Sequence, residues 1–185
     1  MYFSNLYEYI TGKEFNMTRI QRAILSLALL AGTTGVIFAQ ETVSGNSRGI
    51  SASFTVQKDR VEITMSAPVQ GWVAIGIDPT DKMKDADFKI AYVKDGTVYI
   101  RDDFGNSPIA HSEDVKLGGT SDILSYSGKE EKGITTITFV VSRQTTDSKD
   151  KPLTPGTHKI IVAASDSDSF TAKHKTVGSF TITLP

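Results

Sequence analysis

Cysteine is absent and the histidines are only His111, His158 and His174, so side chains able to hold a soft metal or start nucleophilic chemistry are few. Met83 stands out among those that remain. It lies in "TDKMKDADFKIAY" (80–92), flanked by Lys82 and Lys84, with Asp81, Asp85 and Asp87 close by. A thioether in so charged a connection is either a gap-filling anchor to the core or a ligand. His174, in "FTAKHKTVGSF" (170–180), sits in a polar loop that leads into an apolar strand, and alone it reads as solvated. His158 opens a strand beside Lys159 and reads as an exposed or half-buried strand residue. His111, in "SPIAHSED", reads as a solvated loop residue; a metal shared with Glu113 or Asp114 is the alternative.

Asp78, Asp81, Asp85 and Asp87 crowd one connection, and Asp166 and Asp168 another. Their spacing follows no EF-hand pattern, and Lys82, Lys84 and Lys89 offset the charge, which argues against a calcium site in these runs. No G-x-S-x-G elbow and no phosphate-binding glycine loop is present, because no helix follows "GWVAIGID" (71–78). Carboxylate pairs suited to glycoside hydrolysis can be drawn anywhere in so acidic a chain and single out none. With no nucleophile or acid–base pair marked, an independent hydrolase is disfavoured, and the expectation is a domain without catalytic residues of its own.

The elements that must position these residues are strands. "ISASFTVQ" (50–57) and "RVEITMSA" (60–67) alternate about the turn "KDR", with Val61, Ile63 and Met65 on one face. "GWVAIGID" is almost continuously apolar and reads as a central strand. "DFKIAYVK" (87–94) and "TVYIRD" (97–102) flank Asp95-Gly96, a strong hairpin signal. "DILSYSG" (122–128) and "GITTITFVVSR" (133–143) flank the charged turn "KEEK", with Ile137, Phe139 and Val141 on one face. "GTHKIIVAAS" (156–165) and "GSFTITL" (178–184) close the set. So many half-buried strands without an amphipathic helix predict an all-β sandwich of about 8–10 antiparallel strands; a closed barrel is the alternative. The long polar connections 142–156 and 165–178 are natural places for binding residues.

The domain is expected over 41–185, behind an N-terminal extension and signal peptide over 1–40. Met17 is the more sensible start: "MTRIQR" supplies Arg19 and Arg22, "AILSLALLAGTTGVIFA" (23–39) is a short apolar core, and cleavage falls near Ala39 or Gln40. An uncleaved membrane anchor is the rival reading. Export to a periplasm or the cell exterior follows, with the membrane touched only through that segment if it is retained. Of the 20 basic and 21 acidic residues, three and two lie before residue 41, leaving 17 against 19. That balance, scattered singly, excludes a nucleic-acid footprint.

"GWVAIGIDPTDKMKDADFKIAYVKDGTVYIRDDFG" (71–105) resembles the DOMON domain family, with Gly71-Trp72-x-Ala74-x-Gly76, then Met83, then Ala86-Asp87. "PLTPGTHKIIVAAS" (152–165) and the His-x(3)-Gly-x-Phe of "KHKTVGSFTITL" (173–184) are similar to its later segments. The resemblance implies an immunoglobulin-like β-sandwich that binds haem b or, in other branches, sugars. For the cytochrome branch, similar to the cytochrome domain of cellobiose dehydrogenase, it implies Met83 and His174 as axial iron ligands. Trp72, Ile75, Ile77, Phe88, Tyr92 and Phe170 would then pack on the porphyrin, and Arg101, Lys173 or Lys175 would meet its propionates. More distant relatives that use methionine and lysine make Lys173 or Lys175 the fallback ligand. The chain departs from the family in its charged Lys82-Met83-Lys84 loop and in Val177, where an arginine often precedes the glycine. The function implied is one-electron transfer or redox sensing with a separate redox protein. The alternative is a haem-free carbohydrate or small-ligand module in which Trp72, Tyr92 or Tyr99 line a groove.

Overall fold

The computed structural model describes residues 40–185; the signal-peptide and Met17 readings lie outside the described residues. Eleven strands run in chain order: β1 (Glu41–Ser47), β2 (Ile50–Val56), β3 (Arg60–Ala67), β4 (Val73–Ile77), β5 (Asp87–Lys94), β6 (Thr97–Ser107), β7 (Ala110–Glu113), β8 (Ile123–Glu131), β9 (Ile134–Ser142), β10 (Gly156–Ala164) and β11 (Thr176–Leu184). They form two open antiparallel sheets, ordered β1-β2-β3-β9-β8 and β11-β10-β4-β5-β6-β7. This is a β-sandwich, as the strand pattern predicts, and the barrel alternative falls. The count exceeds the expected 8–10 because β1 and β7 carry no hydrophobic alternation. Both are edge strands, "ETVSGNS" and "AHSE", with no fully buried residue.

Three hairpins use one turn solution. Arg48-Gly49, Asp95-Gly96 and Lys132-Gly133 each place two consecutive residues at positive φ, between 51° and 83°. That is the two-residue turn whose twist matches paired strands. The turn between β8 and β9 is therefore Lys132-Gly133, and "KEE" continues β8 instead of belonging to the turn.

Alternation decides the faces. Val61, Ile63 and Met65 of β3 and Ile137, Phe139 and Val141 of β9 meet Val73, Ile75 and Ile77 of β4 and Ile160 and Val162 of β10 in one core between the sheets. Each such large apolar side chain contributes about 1.5–3 kcal/mol by leaving water. The central position of β4, with all five residues buried, matches its unbroken apolar sequence. Its even-numbered residues, Ala74 and Gly76, face away from the core onto the outside of the six-stranded sheet, and that outer face positions the site.

Candidate functional site

The outer face of the six-stranded sheet is apolar across its middle. Register sets Ala74 and Gly76 of β4 beside Phe88 and Ile90 of β5 and Ile161 and Ala163 of β10. A Cβ at Gly76 would lie 2.6 Å from the Phe88 ring and 2.8 Å from Ile161, so the glycine lets both side chains close over β4. Over this floor opens a cavity of about 920 Å³, bordered by Met83, Phe88, Pro108, Ile109, Ile161, Ala163, His174 and Val177, with Lys82 and Lys159 at its charged rim. Its size lies within the range usual for small-molecule and cofactor sites, about 300–1,000 Å³.

Met83 is half-buried and His174 is exposed, and both are held by backbone contacts. The Ala86 N–H donates to the Met83 carbonyl (3.2 Å), the Asp85 N–H to the Gly105 carbonyl (2.7 Å), and the Gly105 N–H to the Ala86 carbonyl (2.9 Å). Lys82 and Asp85 take positive φ of 51° and 62°, so the loop turns sharply on each side of the methionine. The loop rests on β6 at Gly105, where a Cβ would lie 1.7 Å from the Met83 carbonyl oxygen. His174 is pinned at both neighbours. The Lys173 carbonyl accepts from the Ser165 hydroxyl (3.1 Å), and the Lys175 N–H donates to the Ala164 carbonyl (2.8 Å).

Gly105→Ala is therefore expected to push the loop off β6. Overpacking of this kind costs about 1–3 kcal/mol, and the displaced Met83 lowers affinity for whatever the cavity binds. Urea unfolding reads the first effect and ligand titration the second. Unchanged affinity would show that β6 does not set the position of Met83.

The other residues singled out by sequence divide into four groups. Phe88 borders the cavity. Trp72 is buried with Ala74 and Ile90 in an adjoining cluster on the same face, capped by Tyr92 and Phe170; Arg101 stacks 4.9 Å above the Phe170 ring. Its indole Nε1–H is buried without a partner. Ile75 and Ile77 are corrections: strand alternation turns them into the core between the sheets, opposite the cavity. Lys173 and Lys175 are exposed and border no part of it, and Lys175 pairs with Asp166.

Sequence reading missed the Arg101–Asp103–His111 set on this same outer face. Arg101 grips the fully buried Asp103 through two nitrogens (2.6 and 2.5 Å), and the His111 Nδ1–H donates to it at 2.5 Å. His111 is half-buried in β7 and packs 5.2 Å from the Phe88 ring, so it belongs to a polar brace and not to a solvated loop. Burial works to raise the Asp103 carboxyl, yet the bonds from His111 and Arg101 hold it below the usual range. A depressed folded pKa gives stability that is fully present above the unfolded value near 3.8 and is lost as pH falls from there through the lower folded value. Asp103→Asn should flatten the loss of melting temperature below about pH 4; an unchanged acid limb would remove Asp103 from that role.

His158 is buried, not exposed. Its Nδ1 lies 2.7 Å from Asp78 Oδ2 and its Nε2 2.8 Å from the Thr154 carbonyl, which ties β10 to the end of β4.

The inner side of the same sheet holds a second polar set. Lys89, register partner of Ile75, points inward and is 1% exposed. Its Nζ lies 2.5 Å from Asp87, 2.7 Å from Asp102, 3.1 Å from Asp122 and 4.0 Å from Asp150. Burial opposes its charge, but Asp87, Asp102 and Asp122 hold the ammonium protonated well above its ordinary value. Burial raises the carboxyls of Asp87 and Asp102, and takes Asp114 to about 7 and Asp150 to about 6. The signal was in the sequence: Asp87, Lys89, Ala91 and Val93 alternate onto one face, and the last two are plainly core.

Among solved structures, the chain is similar to the cytochrome b domain of pyranose dehydrogenase from Coprinopsis cinerea, with a TM-score of 0.52 and 15% identity over 71% of this chain and 76% of that one. It is also similar to the cytochrome domain of cellobiose dehydrogenase from Myriococcum thermophilum, with a TM-score of 0.52 and 12% identity over 78% and 82%. At such identities the likeness is one of fold. No curated protein matches the chain. The model of the DOMON domain matches residues 46–165, taking in β2 to β10 with the Gly71-Trp72 strand and the Met83 loop, and ending before His174. A match over well more than half of the sequence, on strands that pair as a sandwich, means that the chain belongs to the DOMON domain family.

Proposed function

We propose that this chain is a haem b-binding domain that carries or senses single electrons, with Met83 and His174 as the axial pair. One observation carries the reading. Two residues 91 positions apart in the sequence border one cavity with an apolar floor, each on a backbone segment fixed by hydrogen bonds. The donor set suits the group: a thioether favours ferrous iron and imidazole serves both oxidation states. A haem held there by both Met83 and His174 would supply one-electron chemistry. The floor of Phe88, Ile161 and Ala163 excludes water from one side. A further part of the proposal is that residues 17–40 export the domain, where it exchanges electrons with a separate protein.

The test is an absorption titration of the full chain with haem. A saturable spectrum at one equivalent that sharpens on reduction is expected; a folded, colourless protein that ignores haem would end the reading. The carbohydrate alternative is weaker, because Trp72 is 4% exposed beneath Phe170 and offers no ring to a sugar. Tyr99, stacked on Tyr92, is the exposed aromatic left for it on this face.

A further inference from the structure

The acidic set inside the sandwich divides into two carboxylate triangles that share Asp150: Asp87, Asp122 and Asp150 form one, and Asp102, Asp114 and Asp150 the other. In each, one oxygen per residue lies within 4.8 Å of the others. The Lys89 ammonium faces the first triangle at 2.5, 3.1 and 4.0 Å. The same ammonium lies 2.7 Å from Asp102 and 4.0 Å from Asp150 of the second triangle, which differs at Asp114. Asp114 is fully buried, neither of its oxygens has a hydrogen-bond partner, and no cation among the described residues comes within 4.0 Å of it. Asp102 Oδ1 and Asp150 Oδ1 are likewise without a hydrogen bond, although Lys89 lies 2.7 Å from the former as an ion pair.

We propose that Asp102, Asp114 and Asp150 bind a calcium ion between the sheets. The three residues of the triangle carry four buried oxygens without hydrogen bonds: both of Asp114 and one each of Asp102 and Asp150. The remaining oxygens of the last two are occupied. Asp102 Oδ2 accepts from the Asp122 N–H (3.0 Å), and Asp150 Oδ2 accepts from the Thr145 hydroxyl (3.0 Å), which leaves Oδ1 of each without a hydrogen bond. Two calcium–oxygen bonds of about 2.3–2.6 Å span the separations within the triangle, and a rigid all-oxygen protein set suits calcium better than magnesium, which keeps its waters. Four buried carboxylates and the half-buried Asp122, against one ammonium, also leave the interior short of positive charge, a state that burial penalises heavily.

The site is built by three segments: β6 brings Asp102, the 3-10 turn Asp114–Leu117 brings Asp114, and the 143–155 connection brings Asp150. It lies on the face of the sheet opposite the cavity, and it uses from the acidic runs of the sequence none of the residues judged above for calcium. The neighbouring ammonium repels a second cation, so affinity is expected in the range of extracellular calcium modules, about 10⁻⁴–10⁻³ M.

Calorimetric titration of chelator-treated full chain with calcium chloride should give one site per chain. Saturating calcium should raise the melting temperature by about 5–10 °C, and magnesium at equal concentration by much less. Asp114→Asn keeps the shape while removing the unpartnered charge, so it should fold without calcium at least as well as the parent and lose the calcium-dependent shift. Asp166→Asn, at the surface pair with Lys175, should keep it. Absence of heat and of a melting shift, in a folded parent protein, would overturn the site, as would an undiminished shift in Asp114→Asn. Equal responses to magnesium and calcium would overturn the assignment to calcium.

Discussion

Met83→Ala and His174→Ala should each abolish the spectrum of a haem iron held by two side chains, while leaving the melting temperature of the haem-free protein within about a degree or two of the parent, as expected for changes outside the core. The asymmetry follows from where the side chains sit. Met83 is half-buried on a loop fixed by backbone bonds to β6, and His174 is exposed between two pinned neighbours, so truncating either removes little packing. Changes to groups that only orient a ligand already cost about 10–100-fold in affinity, and loss of a ligand should cost more. The two variants differ in detail. Met83→Ala keeps imidazole, the ligand that serves both oxidation states, and should retain weak binding with a lowered reduction potential. His174→Ala leaves a thioether alone and should bind least. If His174→Ala kept a two-ligand spectrum, Lys173 or Lys175 would be the ligand, and Lys173→Ala and Lys175→Ala would separate them. A two-ligand spectrum surviving all four changes would remove this loop from the site.

What the sequence made legible depended on whether a residue's partner was local. Strand alternation alone placed Val61, Ile63 and Met65 and their partners on β9 inside the core, because a period of two is written within one strand. Asp95-Gly96 was visible as a turn because aspartate–glycine is a common hairpin pair. Arg48-Gly49 and Lys132-Gly133 adopt the same geometry with residues that rarely advertise it. The side of the sheet that Ile75 faces was equally available from alternation, and it was assigned to the cavity because an apolar strand buried on both faces has no polar side to mark direction. Gly105 could not be found that way. Its role is to leave room for the Met83 carbonyl, a contact across 22 positions that only the packed loop creates. The acidic cluster lies between these cases: alternation puts Asp87 and Lys89 inward, but Asp102, Asp114, Asp122 and Asp150 arrive from four separate segments.

Lys89→Met should be the most destabilising single change in the domain. The side chain is 1% exposed, methionine matches its length, and the loss is therefore electrostatic more than steric. Removing one partner of a buried ion pair costs about 3–5 kcal/mol, and here Asp87, Asp102 and Asp122 lose their counter-ion together. Against a usual total of about 5–15 kcal/mol, that is enough to unfold much of the population. The pH dependence separates this cause from a packing defect. Without the ammonium, the buried carboxyls are raised further above 3.8, and a raised folded pKa gives stability that is full below the unfolded value and lost as pH rises through the folded one. The deficit of Lys89→Met, measured by urea unfolding with chelator present, should therefore be largest at neutral pH and shrink toward about pH 4. Asp87→Asn combined with Lys89→Met should recover part of it, since one stranded charge is removed. Lys149→Met, which gives up only a 5.0 Å contact over Phe104, should stay within about 0.5 kcal/mol of the parent. A Lys89→Met deficit that is small, or constant with pH, would mean that the carboxylates do not depend on Lys89 for their charge balance.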